Sequence, residues 1–357
     1  MLHATVVLRS YNRLTACCEA LEQCLRQDYP SFEVLVLEQS TRATEDEQAR
    51  LEALAADHRV RIERRPPLGG PGSRNEACQV ARGDVIIMVD DDDMPAHQGW
   101  LSAFMKNFED PKCLAVTGRH IVEGGKQPPY ANMGKAERQV LSYSWLMWQR
   151  CYTRIETRSE SIENVHGTNT AIRRAVFERF GMWDTCTRIE DESSFCYRVL
   201  RGKDPDEYMV FDPEASIVRR LDIEGGLDKR QMTAAGYGQR IFQFFHNIVA
   251  HYHPGRFVLL YPAYVWLLWW VTADWVWHES GAHRGRTGYK LATIAGLGLT
   301  LPILWPYWLT RWSVDRIRSG APPRAPKLPP RVERSKMPAG ADAPPRSADQ
   351  RAAAAAG

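Results

Sequence analysis

The densest chemistry in this sequence is a run of four carboxylates, Asp90-Asp91-Asp92-Asp93, which ends the apolar stretch Val85-Ile86-Ile87-Met88-Val89. A strand that runs into consecutive acids crowds like charges at the carboxyl edge of a sheet, where α/β folds bind their ligands. Such crowding is costly unless a cation joins it. Carboxylate oxygens are hard donors that suit magnesium or manganese, and those ions in turn suit a diphosphate. The competing reading is an acidic, solvated turn. A second acidic group, Glu190-Asp191-Glu192, stands further along the chain, and its competing reading is a helix start decorated with acids. His166, His246, His251 and His253 form no metal-ligand spacing. The eight cysteines contain no C-x-x-C pair, which reads as reduced, mostly buried thiols of a cytosolic protein. There is no P-loop and no G-x-G-x-x-G.

Elements that would position the first acidic run can be read upstream of it. Short β-rich runs, Thr5-Val6-Val7-Leu8, Phe32 to Leu37, Val60 to Glu63 and Asp84 to Val89, alternate with polar helical stretches near 13–27, 44–57 and 71–81. Strands alternating with helices imply right-handed β-α-β units, an α/β fold and a mostly parallel central sheet. The helix from Thr44 opens on Glu45, Asp46 and Glu47, where carboxylates favour the positive end of the helix dipole.

The character changes after residue 225. Phe257 to Ala273 and Leu291 to Thr310 are uncharged runs of 17 and 20 residues, rich in Trp and Tyr, and Arg311, Arg316 and Arg318 follow the second. About 20 apolar residues match a bilayer core, so a membrane is the expected partner. Pro302, Pro306 and Asp274 weaken a spanning assignment, and Arg284, Arg286 and Lys290 would be exported by a simple hairpin. An in-plane arrangement therefore competes with a hairpin, and a pair of buried aromatic helices is the bland alternative. The division expected is a catalytic domain over 1–225, a helical, membrane-associated region over 226–318, and a disordered Pro/Ala-rich tail over 319–357.

Composition is globular, with 44% hydrophobic and 25% charged residues, which excludes a collagen or a disordered chain. The net charge of +3 is too small to argue for nucleic acid. Met1 leads directly into Ala4-Thr5-Val6-Val7-Leu8 without a basic region or a long apolar one, so no secretory signal is expected before the domain.

Six fragments in order carry a resemblance. Thr5 to Arg13 is similar to the opening strand and loop of the family 2 glycosyltransferases of GT-A fold, Phe32 to Ser40 to their second strand and its acidic end, and Gly69 to Asn75 to their glycine-rich turn. Asp90 to Asp93 resembles the D-x-D motif, Gly167-Thr168-Asn169-Thr170-Ala171-Ile172-Arg173 the acceptor-side strand, and Ile189 to Glu192 with Arg198 and Gly202 the E-D motif and its helix. The resemblance covers about residues 4 to 220.

The family implies roles. Ser10, Tyr11, Asn12 and Arg13 would line the nucleotide pocket, with Glu38 accepting hydrogen bonds from base or ribose and Arg74 and Asn75 assisting on the donor side. Asp90 would bond the ribose, and Asp92 with Asp90 would hold the divalent metal; four consecutive acids leave the register open, so Asp91 or Asp93 replaces or assists. Transfer with inversion needs a general base opposite the leaving diphosphate. Asp191 is the first choice, flanked by Glu190 and Glu192, and the spacing to Arg198 leaves the pair open between Glu190-Asp191 and Asp191-Glu192. Gly167, Thr168 and Asn169 would lie on the acceptor side. Where many members carry a histidine after the last strand, this chain has Arg219-Arg220, a phosphate hand or a surface pair. No Q-x-x-R-W is present, which favours addition of a single sugar.

The expected function is an inverting glycosyltransferase that uses a nucleotide-sugar donor and a lipid-linked or other sugar acceptor, membrane-associated with its catalytic domain cytoplasmic. The alternatives are a soluble transferase with a small or polysaccharide acceptor and a non-catalytic GT-A scaffold. A nucleotidyltransferase shares the fold class but lacks a supporting motif.

Overall fold

The computed structural model describes residues 1–122, 140–143, 149–150, 155–185, 191–220, 223, 242, 253–278, 287–319 and 327–329. Glu190, His246 and His251 fall outside them.

Four strands, β1 (Ala4–Ser10), β2 (Phe32–Glu38), β3 (Val60–Arg64) and β4 (Val85–Asp90), pair in parallel in the order β3-β2-β1-β4. Their connections are α1 (Leu14–Leu25), α2 (Glu45–Leu54) and α3 (Gly69–Val80). Alternate side chains on each strand enter opposite cores. Val6, Leu8, Val34, Val36, Ile87 and Val89 meet Cys17, Leu21 and Cys24 of α1, while Val7, Leu35, Leu37, Ile86 and Met88 meet Ala77 and Cys78 of α3. A strand covered on both faces favours apolar residues on both, which is why residues 6–8, 34–37 and 85–89 are near-continuous apolar runs. The acids that open α2 complete a capping box: Thr44 Oγ1 accepts from Glu47 N at 3.3 Å, and the Glu47 carboxylate accepts from Thr44 N at 2.9 Å.

The sheet is more mixed than the sequence predicts. Its full order is β3-β2-β1-β4-β9-β6-β10-β5, with β5 (Asp93–Pro95), β6 (Cys113–Val122), β9 (Thr170–Arg173) and β10 (Tyr208–Arg219) completing it. β9 runs antiparallel to both β4 and β6, and β5 antiparallel to β10. Between these lie α4 (Trp100–Met105), the short pair β7 (Ser142–Tyr143) and β8 (Gln149–Arg150), α5 (Arg174–Phe180) and α6 (Asp191–Gly202). Insertion of β9 brings the 166–170 segment directly beside the end of β4.

Beyond the sheet, α7 (Pro254–Leu259), α8 (Tyr261–His278) and α9 (Thr287–Ser319) pack on one another around Tyr264, Leu268, Leu297, Leu301 and Trp305. Tyr197 of α6 belongs to the same apolar cluster, so the helix that begins with the second acidic group is part of the joint. Lys290–Thr310 within α9 is long and apolar enough to cross a membrane, and 22% of its most apolar window is buried. Trp308, near the end of the second uncharged run where an aromatic residue would suit a bilayer interface, is buried against Phe242. Most of the expected tail lies outside the described residues. Lys327–Pro329 does not fit a structureless tail, because Leu328 is buried beside Phe177, whose carbonyl accepts from Leu328 N.

Candidate active site

Strand register builds the acidic edge of the sheet. Ser10 pairs with Glu38 across β1 and β2, and Arg9 with Asp90 across β1 and β4, so the carboxyl ends of three strands form one rim. Beyond β4 the four acids alternate. Asp90 and Asp92 keep 29% and 15% of their side chains exposed, whereas Asp91 and Asp93 are fully enclosed. This alternation separates the positions left open by the sequence: Asp90 and Asp92 face outward. Oxygens of Asp90, Asp92 and Asp93 lie within 4.8 Å of one another. That all-carboxylate set fits a hard divalent cation such as magnesium or manganese.

Each acid already faces an arginine. Arg9 pairs with Asp90 and also donates to Ser73 Oγ at 3.2 Å. Arg13 pairs with Asp91 and reaches Asp92 at 3.1 Å. Arg219 clasps Asp93 at 3.0 and 3.1 Å, and Thr168 Oγ1 donates to the same carboxylate at 2.8 Å. Arg219 therefore neutralises a buried acid, and Arg220 pairs with Glu19, contacts that bear on a pair the sequence leaves open between a phosphate hand and a surface pair. Burial pushes Asp91 up to about 7 against the pull of Arg13, and Asp93 up to about 6 against that of Arg219. At Asp90 burial also opposes ionisation, but Arg9, Arg74, Arg219 and Arg13 outweigh it and hold the group below the usual carboxylate range.

The second acidic group is joined to this rim by Arg74. Its guanidinium donates to Asp191 at 2.6 Å and to the Gly167 carbonyl at 3.2 Å, and it pairs with Glu192 at 2.8 Å. The sequence places Arg74 on the donor side; here it serves the acid pair at the start of α6. Asp191, the expected base, is turned inward with 3% of its side chain exposed, while Glu192 keeps 18%. Burial, reinforced by the neighbouring Glu192, pushes Asp191 up to about 7. Burial works against Glu192 as well, but Arg74 holds it below the usual range. Glu192 is the ionised, accessible carboxylate of the pair.

Several expected ligand contacts are spent within the protein. The Asn75 amide is buried and exchanges two hydrogen bonds of 2.9 Å with the Trp183 backbone. Asn12, in the left-handed region at φ 57°, accepts from the backbone N–H groups of Thr41 and Arg42 and so clips the first loop to the second. Glu38 is buried and accepts from Ser40 N at 2.6 Å. Asn169, also left-handed at φ 51°, bonds the Ala215 and Arg119 carbonyls and accepts from the Trp100 indole. Thr168 ties Asp90 N to Asp93. These residues shape the site from behind. Ser10 is buried beneath the rim, and Tyr11 stands exposed on it.

Sequence reasoning did not single out Arg9 or a role for His166. Arg9 had a signal, a charge at the end of an apolar strand in line with an acid on its neighbour. His166 stacks edge-on against His120 with ring centroids 4.2 Å apart. Burial, then Arg219, pushes its imidazole down to about 4, so it is neutral.

A family model described as Glycosyl transferase family 2 matches residues 5–181. A glucosyl-dolichyl phosphate glucuronosyltransferase of Haloferax volcanii is 27% identical over 158 residues, which are 42% of this chain and 47% of that protein; the chain thus spans about half the length of this relative. Among solved structures, the mannosyltransferase PcManGT from Pyrobaculum calidifontis, in complex with GDP-Man and Mn2+, superposes with a TM-score of 0.53 at 18% identity, covering 89% of this chain and 88% of that one. GalNAc-T7 with UDP, GalNAc and Mn2+ gives a TM-score of 0.50 at 15% identity over 68% of this chain and 48% of that one. The shared fold is that of GT-A glycosyltransferases.

Proposed function

We propose that this chain, which belongs to the family 2 glycosyltransferases and takes its sugar from a nucleotide-sugar donor, transfers a single sugar with inversion to a hydroxyl of a lipid-linked or polysaccharide acceptor at the cytoplasmic face of a membrane. The observation that carries this reading is the juxtaposition made by Arg74, which joins an accessible carboxylate on α6 to the acidic rim at the end of β4.

In this reading Asp90 and Asp92 hold a divalent ion. A bound ion of this kind supplies Lewis-acid stabilisation of a leaving diphosphate. The chain's own residues do the rest. Tyr11 offers an exposed ring at the rim for a base, above a floor made by Ser10 and Glu38. Glu192 accepts the proton of the acceptor hydroxyl, a task that needs an ionised carboxylate within hydrogen-bond reach of solvent-borne substrate. Arg74 keeps it ionised and fixes its direction, while Asp191 and the Gly167 carbonyl fix Arg74.

The membrane half of the proposal is supported by α8 and α9. Trp266, Trp270, Trp277, Leu299, Ile303 and Tyr307 are large apolar side chains exposed on these helices, and Trp266 and Trp270 stack with centroids 5.7 Å apart. An exposed apolar face of this size marks an interaction surface. Aromatic side chains favour the bilayer interface. The dolichyl phosphate in the name of the Haloferax volcanii relative points the same way for the acceptor.

The test is a thermal-shift screen of the purified protein against UDP-, GDP- and dTDP-linked sugars with and without manganese. Stabilisation by one nucleotide class that requires the metal is the expected result. Stabilisation by none of them would refute the reading. Sedimentation with anionic lipid vesicles tests the membrane half separately.

A further inference from the structure

We propose that Arg13 is the resident counter-cation of the Asp92 site, holding that carboxylate before a divalent ion arrives and passing one arm of its guanidinium to the donor diphosphate once the ion has taken Asp92. The inference rests on the nucleotide-sugar reading above and concerns a side chain whose present contacts are all within the protein.

Arg13 sits at the junction between the β1 loop and α1, immediately after the left-handed Asn12. Its side chain makes two kinds of contact. On one side Nη2 pairs with Asp91, and Nε donates to the same carboxylate at 3.2 Å; on the other Nη1 reaches Asp92 at 3.1 Å. Asp91 is enclosed and cannot follow a ligand, so that half of the fork is an anchor. Asp92 is on the outward face, so the other half is a hand.

The remaining arginines lack this division. Arg219 spends its fork on Asp93, an enclosed acid. Arg74 is buried between Asp191, Glu192 and the Gly167 carbonyl. Arg9 does touch an outward acid, Asp90, but Ser73 Oγ and the Gly70 carbonyl hold its Nη1. Within the acidic run after β4, Arg13 is the one of these four that bridges an inward acid and an outward one.

Charge explains why such an exchange is favourable. Four carboxylates in sequence face three arginines, Arg9, Arg13 and Arg219, which leaves the ion-free rim close to balance. A divalent ion on Asp90 and Asp92 adds positive charge beside a guanidinium that has just lost its outward partner. A diphosphate on the same ion supplies the anion that restores the balance, and a planar guanidinium is shaped to meet phosphate oxygens. Metal and donor should therefore bind with positive coupling through Arg13, and the metal alone should bind against it.

The experiment measures two affinities by isothermal titration calorimetry on the full chain: Mn2+ alone, and UDP or GDP in the presence of saturating Mn2+. In Arg13→Met, Mn2+ alone should bind about tenfold tighter, because a like charge beside the site is gone, and the Mn2+-dependent nucleotide should bind about tenfold weaker, because its phosphate partner is gone. Asp91 loses its partner in that variant, so Arg13→Met combined with Asp91→Asn is measured in parallel, with thermal unfolding as the check that both are folded. Opposite signs in the two affinities support the proposal. An unchanged metal affinity, or losses in both, overturns it. Wild-type protein that binds no nucleotide with Mn2+ would overturn the donor reading, and this proposal with it.

Discussion

Replacing Gly167 by alanine tests the geometry of the acid pair without touching an acid. A methyl group at this position would stand 2.0 Å from Glu192 Oε1 and 2.5 Å from Arg74 Nη2, where real Cβ contacts essentially never fall under 3.0 Å. Both obstacles are the far ends of long side chains, so they move instead of the backbone, and Glu192 is displaced by about 1 Å. Gly167 is not among the described residues with positive φ, so alanine brings no backbone strain. Loss of the Arg74 bond to the Gly167 carbonyl costs about 1 kcal/mol. The reduced freedom of the unfolded chain returns about 0.4–1 kcal/mol. Stability should thus change little, with a shift in Tm within about 3 °C. Activity should not be spared, since a misplacement of about 1 Å at a reacting group costs about 100-fold in rate. The assay is kcat for sugar transfer beside the affinity for the metal-bound nucleotide, expected to fall about 100-fold and to stay constant respectively. A kcat within about threefold of wild type, in a variant that folds and binds donor normally, would refute the assignment of Glu192 as base.

Asp92→Asn should abolish manganese-dependent stabilisation by nucleotide while leaving the ligand-free Tm near wild type, because the partly exposed side chain loses one contact to Arg13; retained stabilisation in a thermal-shift assay would reassign the metal carboxylate. Asn75→Ala should cost about 2–3 kcal/mol in a denaturant titration, since it orphans a donor and an acceptor on the buried Trp183 backbone, and it should leave donor affinity intact; a weakened donor with normal stability would return Asn75 to the nucleotide pocket. Asp191 carries a carboxyl raised from 3.8 to about 7 in the native state, so the native protein keeps a proton that the unfolded chain releases, and that contribution to stability is lost as pH rises from about 4 to about 7. The stability of Asp191→Asn relative to metal-free wild type should therefore climb across that window, and a flat or falling difference in Tm would contradict the burial of this acid. Trp266→Ala combined with Trp270→Ala should weaken sedimentation with anionic vesicles about tenfold through lost apolar contact, without changing turnover of a soluble acceptor; unchanged sedimentation would move the membrane contact elsewhere.

Legibility in the sequence followed the range of the forces involved. The parallel half of the sheet was readable because a strand buried on both faces is apolar at most positions, and Val6, Leu35 and Ile87 declare that locally. The acidic run after β4 was readable as a charge problem, because four crowded carboxylates are costly unless counter-charges, a ligand cation or solvent meet them. The inserted antiparallel β9 was not, since its pairing with β4 and β6 joins segments about eighty and fifty residues apart through backbone hydrogen bonds that side-chain type hardly influences. The amides of Asn75 and Asn169 carry the same donors and acceptors whether they meet a ligand or a buried backbone, so the resemblance set both beside a ligand while packing joins them to the backbone.

Composition and pattern alone determined that this chain is an α/β protein with a carboxylate-lined sheet edge and an aromatic helical region behind it. Tertiary structure decided which acids face outward, because the direction of a side chain past the end of a strand depends on the turn that follows. It also decided which arginine neutralises which acid. Arg74 and Asp191 stand 117 residues apart, and Coulomb's law acts on the distance through space, which no local pattern encodes.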